Sequence, residues 1–306
     1  GTGGTGGTGG SPEPVRTYVT TFKSPGLVTA LNSATVVVVD TTAVGNNPVA
    51  VAVASDGAHD YITNNASGTV SVLNTVTGTV TATVAVGAGP EGVAVNPAGT
   101  RVYVAIIVAN TVSVIDTTTN TVSTITVGAN PVGVALTPHG NRAYVTNAGP
   151  NTVSVIDTAS QTVIATVNVG GSPLGVATNP VLTRAYVANY GPDTVSVINT
   201  TTNVVVATIA VGSGPRSIAV TPDGTRAYVT NLMAATVSVI DTATNTVVAT
   251  INVTKPPLGI AVTPDGARAF VTTGDQDTLI LLNTLDNTVI GGWILDTPIG
   301  VAVSLV

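Results

Sequence analysis

The chain of 306 residues contains no cysteine, which excludes a disulfide framework, thiolate chemistry and zinc sites built from cysteine. Charged residues are also scarce, at 8% of the chain, where about 25% is typical of soluble domains. The net charge is −6 and only nine residues are Lys or Arg. The chain therefore lacks the basic surface that binds nucleic acid or anionic membranes, and we expect neither partner.

Long apolar runs are missing as well. Gly, Pro, Thr or Asp interrupts every stretch before it reaches the roughly 18 apolar residues of a transmembrane helix, so we expect no membrane insertion. Thr and Val, which are abundant, favour strands because their branched Cβ atoms pack well on a pleated surface. Gly and Pro provide frequent turns. The composition therefore predicts an all-β protein.

A repeat of 41 or 42 residues runs through the chain. Each unit begins at a proline, at Pro48, Pro90, Pro131, Pro173, Pro215, Pro257 and Pro298. An aromatic residue stands 13 positions after each of the first six prolines, at Tyr61, Tyr103, Tyr144, Tyr186, Tyr228 and Phe270. A segment resembling "TVSVID" follows eight residues later. Each unit contains four short strand patterns, and a repeat of this length with four strands is typical of a β-propeller blade. A solenoid is the alternative, but its β-repeats are shorter and need capping units.

The chain ends favour a closed ring. Pro298 begins an inner strand with nothing after it, whereas residues Leu27–Thr42 align with the second and third strands of a unit. We therefore predict a seven-bladed β-propeller of four-stranded antiparallel blades, whose closing blade is shared between N- and C-terminal strands. We expect Val15–Phe22 to cover the outer edge of that blade, because an open edge promotes aggregation. The propeller should span residues 15–306, after a flexible Gly/Pro-rich linker over residues 1–14.

The segments "RAYVTN", "TVSVIDT" and "PVGVALTPHG" resemble the YVTN β-propeller repeat. That family includes archaeal surface-layer proteins and many secreted bacterial proteins, and the resemblance covers about residues 26–306. It implies a secreted or cell-surface location. The Gly-rich start also looks like the linkers of mycobacterial PE-PGRS proteins, a resemblance carried by ten residues of low complexity.

Charged residues that recur in most units are expected to stabilise the blades. Arginine stands two positions before the aromatic residue in five units, at Arg101, Arg142, Arg184, Arg226 and Arg268. We expect these side chains to bind strand-end carbonyls or the aspartates of neighbouring turns. Aspartate ends the third strand in three units, at Asp116, Asp157 and Asp241. Function should therefore lie where the units differ.

The residue after each repeat proline is expected at the mouth of the central channel. Five of these seven residues are aliphatic, and the two exceptions are Glu91 and Arg216. In a seven-fold ring they would lie about 150° apart, nearly facing each other. One hypothesis is that they hold a small polar or zwitterionic ligand across the mouth; the alternative is that they pair or face water. Tyr190, Asp193 and Lys255 are further candidates for a contact surface in nearby loops.

Three aspartates, Asp275, Asp277 and Asp296, form an acidic corner near the last complete unit. Carboxylate oxygens are the ligands that Ca²⁺ prefers, so a weak calcium site is one interpretation and a solvated acidic corner is the other. No other cofactor is indicated, because there is no haem-attachment motif.

Three classes of function are compatible with this sequence: a binding module, an enzyme and a cofactor domain. We favour an extracellular or cell-surface binding or structural module, a monomeric domain that presents loops on one face to a protein, glycan or cell-wall partner. The alternative is a lactonase-like hydrolase with its site at the central channel. Acid–base catalysis needs several titratable groups in one pocket, and Glu91 is the single candidate, so we do not expect an enzyme.

Overall fold

A computed structural model describes residues 15–274 and 277–304 of the chain. Within these residues all strands and bridges belong to seven separate sheets, each of four antiparallel strands. This confirms the predicted seven-bladed β-propeller. The described residues include no helix with the length and hydrophobicity required to cross a bilayer.

Each blade has an inner, a second, a third and an outer strand. The inner strands are β4 (Pro48–Val53), β8 (Pro90–Val95), β12 (Pro131–Leu136), β16 (Pro173–Thr178), β20 (Pro215–Val220), β24 (Ile260–Val262) and β28 (Pro298–Val303). The second strands are β1 (Arg16–Thr21), β5 (His59–Asn64), β9 (Arg101–Ile106), β13 (Arg142–Asn147), β17 (Arg184–Asn189), β21 (Arg226–Asn231) and β25 (Arg268–Thr273). The third strands are β2 (Gly26–Asn32), β6 (Thr69–Asn74), β10 (Thr111–Asp116), β14 (Thr152–Asp157), β18 (Thr194–Asn199), β22 (Thr236–Asp241) and β26 (Thr278–Asn283). The outer strands are β3 (Val38–Val44), β7 (Thr79–Ala85), β11 (Val122–Thr126), β15 (Thr162–Asn168), β19 (Val204–Ala210), β23 (Thr246–Asn252) and β27 (Thr288–Ile294).

We number the blades from blade 1 (β4–β7) to blade 6 (β24–β27), and call the sheet β28-β1-β2-β3 the closing blade. Neighbouring inner strands contact each other around the whole circle, including β24 with β28 and β28 with β4. The C-terminal strand β28 pairs antiparallel with the N-terminal strand β1, with Thr17 opposite Val303. Hydrogen bonds between the two ends of the chain thus close the ring.

The closing blade corrects one prediction. Residues Arg16–Thr21 form its second strand, not its outer edge, and Val38–Val44 form the outer strand. The prediction was wrong because the Val-rich segment before Asp40 resembles the third strand of the other units. The missed signal is Arg16-Thr17-Tyr18, which repeats the Arg-x-Tyr pattern. Tyr18 is 1% exposed, as buried as the aromatic residues of the other blades.

The second and third strands carry the core. Almost all of their residues are buried on both faces, because each sheet packs against a neighbouring blade on either side. Outer strands instead alternate exposed and partly buried positions, as in β15 and β19. The aromatic residue of each second strand packs between blades; Tyr103, for example, belongs to the cluster that includes Val134 and Ala143 of blade 3.

Repeat side chains also join one blade to the next. The Arg16 Nη1 atom donates to the Thr75 carbonyl of blade 1 (2.6 Å), and Arg268 donates to the Ala34 carbonyl of the closing blade (2.8 Å). These acceptors directly follow a third strand or lie one residue further on. Of the five repeat arginines, Arg142 and Arg268 bind such carbonyls, whereas Arg226 pairs with Asp241 and Arg184 donates to the Thr183 carbonyl. Tyr144 adds a further hydrogen bond between blades, because its hydroxyl donates to Asn203 Oδ1 of blade 4 (2.9 Å).

The repeated aspartates cap the turn between the third and outer strands. Asp157 Oδ1 accepts the backbone N–H groups of Ala159 (3.1 Å) and Ser160 (2.8 Å). These hydrogen bonds favour the charged form and lower the pKa of Asp157. Asp116 and Asp241 make equivalent bonds, which identifies all three as blade residues.

Candidate functional site: the mouth of the central channel

One cavity of about 390 Å³ lies at the channel mouth. It is lined by the residue after each repeat proline in all seven blades: Val49, Glu91, Val132, Leu174, Arg216, Leu258 and Ile299. The mouth is on the face formed by two sets of loops, those from second to third strands and those from outer to inner strands. We call this the mouth face. The cavity falls within the range of about 300–1,000 Å³ that is usual for small-molecule sites.

A β-bulge places these side chains in the mouth. In blade 2, Pro90 lies opposite Ile106 but Val93 lies opposite Val104, so the inner strand contains one extra residue between them. The same shift occurs in blade 5 between Pro215 and Ile218. A bulge redirects side chains away from the normal alternation of a strand. Glu91 and Arg216 both lie within such a bulge, and both line the cavity.

In five of the seven blades, a glycine two positions after the proline lets the neighbouring inner strands lie close together. A Cβ atom on Gly92 would lie 2.5 Å from the Val132 carbonyl oxygen, and one on Gly133 would lie 2.5 Å from that of Leu174. Real side chains do not tolerate these distances, so glycine permits the inner strands to approach each other. The mouth therefore has a rigid backbone frame on which the neighbouring side chain can vary.

Glu91 forms the negative pole of the cavity. Its Oε1 atom accepts a hydrogen bond from Asn65 Nδ2 of blade 1 (2.8 Å), and its carbonyl accepts one from Thr63 Oγ1 (2.8 Å). Burial raises the pKa of the Glu91 carboxyl, and the positive charge of Arg216 acts in the opposite direction. Among the described residues, its Oε2 atom has no hydrogen-bond donor.

Arg216 forms the positive pole. Burial lowers the pKa of its guanidinium, while the charges of Glu91 and then Tyr190 act in the opposite direction. Within residues 15–274 and 277–304 its guanidinium has no hydrogen-bond acceptor and no carboxylate within 4.0 Å. The two poles thus influence each other across the cavity without forming a contact pair. An arginine without an acceptor in a half-buried site favours binding of an anionic group.

The two poles use the same pair of repeat positions. Asn65 and Tyr190 are each the first residue after a second strand, and Glu91 and Arg216 are each the residue after the next blade's proline. The corresponding pairs elsewhere in the ring contain only apolar residues or glycine. They are Phe22 with Val49, Ile107 with Val132, Ala148 with Leu174, Leu232 with Leu258, and Gly274 with Ile299. Neither Asn65 nor Tyr190 is among the residues that line the cavity, so the charged groups of its wall are those of Glu91 and Arg216, three blades apart.

The other predicted contact residues have different placements. Asp193 has a positive φ of 57° and its Oδ1 atom accepts the backbone N–H of Gly214 (2.8 Å), which fixes the loop before Arg216. Asn110 and Asn151 make the equivalent bond in other blades, so this contact belongs to the repeat. Lys255 donates to Thr278 Oγ1 (2.7 Å) and is not among the residues that line the cavity.

The acidic corner is divided among separate contacts. Asp275 lies outside the described residues. Asp277 Oδ1 accepts the Thr297 backbone N–H (2.8 Å), the same repeat contact that Asp193 makes, and Asp296 pairs with Lys23. In the described part of the chain, no group of three or more His, Asp or Glu side chains is arranged to hold a metal ion. The calcium interpretation therefore stays a prediction.

Two features of the chain were missed by sequence reasoning. The contribution of Asn65 to the mouth was not expected, because Asn65 and Glu91 belong to different repeats and meet only across the blade interface. Asp60 is buried in the second strand of blade 1, where blades 3 to 6 have alanine. That substitution of an acid for alanine was a visible signal in the aligned repeats.

Comparison with known proteins supports the fold. Residues 181–269 match the model of the YNCE-like beta-propeller family. No curated protein sequence matches the chain. Among solved structures, the chain is similar to hydrazine synthase of Kuenenia stuttgartiensis, with 26% identity and a TM-score of 0.72 over 78% of this chain and 76% of that one.

Two further structures share the fold at lower identity. A functionally unknown protein from Desulfotomaculum acetoxidans DSM 771 has a TM-score of 0.82 and 18% identity, over 95% of this chain and 99% of that one. The dihydro-heme d1 dehydrogenase NirN has a TM-score of 0.71 and 14% identity, over 96% and 76%. These comparisons support a β-propeller and leave the ligand open.

Proposed function

We propose that this propeller is a binding module of a secreted or cell-surface protein, and that it takes its ligand in the mouth cavity. The observation that carries the proposal is the Arg216 guanidinium, which lies in an apolar cavity opposite Glu91 without an acceptor in the described protein. The low charge and the resemblance to surface-layer repeats support the location. A protein, a glycan or a cell-wall component that exposes a suitable terminal group is the partner we propose.

Binding fits the chemistry of the cavity better than hydrolysis does. Glu91 is the only acid and Arg216 the only base among the described lining residues. A hydrolase would need a second acid–base group or a metal ion near Glu91. Two of the similar structures are enzymes, hydrazine synthase at 26% identity and the dihydro-heme d1 dehydrogenase NirN at 14% identity. The cavity of this chain does not by itself favour a catalytic role.

The experiment is a thermal-shift screen with short peptides, sugars and cell-wall fragments on three proteins. They are the wild type, a Val132→Trp variant that fills the cavity, and a Val181→Trp variant as a matched control. Val181 is 66% exposed in a turn on the face opposite the mouth. We expect ligands that stabilise the wild type and the control but not Val132→Trp. Ligands that stabilise all three proteins equally, or no stabilising ligand at all, would contradict the proposal.

A further inference from the structure

The two charged residues of the mouth differ in sign and in chemistry. Arg216 offers a guanidinium, which only donates hydrogen bonds. Glu91 offers a carboxylate whose Oε1 already accepts a hydrogen bond from Asn65. This hydrogen bond orients the carboxylate and leaves Oε2 for a further donor. One side of the mouth therefore suits an anionic group and the other a cationic group.

The separation of the poles limits the ligand. Glu91 and Arg216 belong to blades 2 and 5, about 150° apart around a seven-fold ring, and their charged atoms do not approach within 4.0 Å in the described structure. An α-amino acid carries both charges on one carbon, whereas a linear molecule with its charges at opposite ends reaches further across the mouth.

The wall between the poles determines the size and polarity of the part of the ligand that lies between its two charges. The five remaining residues after the repeat prolines are aliphatic, and the cavity of about 390 Å³ is of a size usual for small-molecule sites. Glycyl-leucine has about 13 non-hydrogen atoms, an ammonium and a carboxylate at its ends, and an apolar side chain. A ligand of this size and polarity matches the volume, the charges and the aliphatic wall together.

We infer that the mouth binds short linear zwitterions of dipeptide size, with the carboxylate at Arg216 and the ammonium at Glu91, which Asn65 orients. This inference rests on the proposed function, because it assigns the ligand class of the same cavity. The five aliphatic residues after the repeat prolines contact the side chain and the spacer. Charge-assisted hydrogen bonds at both ends give the site its selectivity for free termini.

The test is isothermal titration calorimetry of the whole chain with four probes. Glycyl-leucine has both charges, N-acetyl-glycyl-leucine lacks the ammonium, glycyl-leucinamide lacks the carboxylate, and leucine has both charges on one carbon. We expect glycyl-leucine to bind about tenfold or more tightly than each of the other three. Equal binding of glycyl-leucine and its N-acetyl form by the wild type would overturn the inference.

Two variants test which charged residue of the mouth binds which terminus of the dipeptide. Glu91→Gln should bind glycyl-leucine and its N-acetyl form equally, and Arg216→Gln should bind glycyl-leucine and its amide equally. His139→Gln, in a turn on the opposite face, should retain the wild-type preference. A further outcome is that sugars or acetylated peptides bind to the wild type and not to Val132→Trp while glycyl-leucine does not bind at all. That result would show that the inferred ligand class is wrong and that the proposed function stands. If Val132→Trp abolishes no binding, the inferred ligand class and the proposed function are both wrong.

Discussion

The second strand of blade 1 contains a buried acid, Asp60. It is the second residue of β5 and is 0% exposed, and neither carboxyl oxygen has a hydrogen-bond partner among the described residues. Blades 3 to 6 have alanine at this position, at Ala143, Ala185, Ala227 and Ala269, and each of these is also 0% exposed. The fold therefore accommodates a methyl group where blade 1 places a carboxyl.

The surroundings of Asp60 favour its neutral form. Burial raises its pKa well above the ordinary value, the positive charge of Arg16 opposes this shift, and the negative charge of Asp56 adds to it. Arg16 is already held by the Thr75 carbonyl (2.6 Å). A buried polar group without a hydrogen bond costs about 1–3 kcal/mol of folding free energy. We expect Asp60→Ala to raise the free energy of unfolding by about that amount at neutral pH.

The pH dependence has a definite sign. The folded pKa of Asp60 lies above its unfolded value of about 3.9, so the folded state holds this proton more strongly. The stability that this group contributes is fully present below pH about 3.9 and is lost as the pH rises through the folded pKa. The loss reaches at most about 1.4 kcal/mol per pH unit. The stability gain of Asp60→Ala over wild type should therefore be smallest in acid and grow with pH.

The assay is urea unfolding followed by circular dichroism between pH 4 and pH 8. Wild type, Asp60→Ala and Asp60→Asn are compared with the reciprocal variant Ala143→Asp, which places an acid at the same position of blade 3. Other titrating groups are common to all four proteins and cancel in the differences. We expect Ala143→Asp to be destabilised increasingly with pH. A loss of stability in Asp60→Ala, or a difference that does not depend on pH, would refute the reasoning.

Three further predictions follow from contacts of the repeat and the mouth. Tyr144→Phe should lower the free energy of unfolding by about 0.5–1.5 kcal/mol in urea, because one inter-blade hydrogen bond is lost; Phe270 shows that the ring alone is tolerated. Gly133→Ala should lower the unfolding midpoint, because its Cβ would lie 2.5 Å from the Leu174 carbonyl oxygen; an unchanged midpoint would contradict this. Glycyl-leucine affinity should fall as the pH decreases through the raised pKa of Glu91, and calorimetry should find no such fall in Glu91→Gln.

The repeat made the ring predictable, whereas single strands were less certain. Prolines and aromatic residues at fixed spacing fix the number of blades, since every unit must bury the same face against its neighbours. The closing blade was misassigned because residues Val36–Asp40 match the third-strand pattern by composition. The buried position of Tyr18 decides the correct assignment, and it depends on pairing between residues at opposite ends of the chain.

The candidate site was predictable only in part for a related reason. Glu91 and Arg216 depart from an aliphatic position within one aligned column, so the sequence reveals them. Their neighbours Asn65 and Tyr190 belong to another column and to the preceding blade, and the blade interface brings the two columns together. A repeat alignment compares equivalent positions, whereas a site is formed by positions that are not equivalent.

The backbone of the mouth explains why a site can be placed there at little cost to the fold. The Glu91 carbonyl is bound by Thr63, and the Leu174 carbonyl is bound in the same way by Thr146 (2.6 Å), although one side chain is charged and the other is apolar. These carbonyl hydrogen bonds thus do not involve the side chain that faces the cavity. Substitution at this position therefore changes the ligand chemistry of the mouth while the bulge and the carbonyl bonds between blades stay the same. Two such substitutions, three blades apart, are sufficient to turn an apolar ring into a site with two opposite charges.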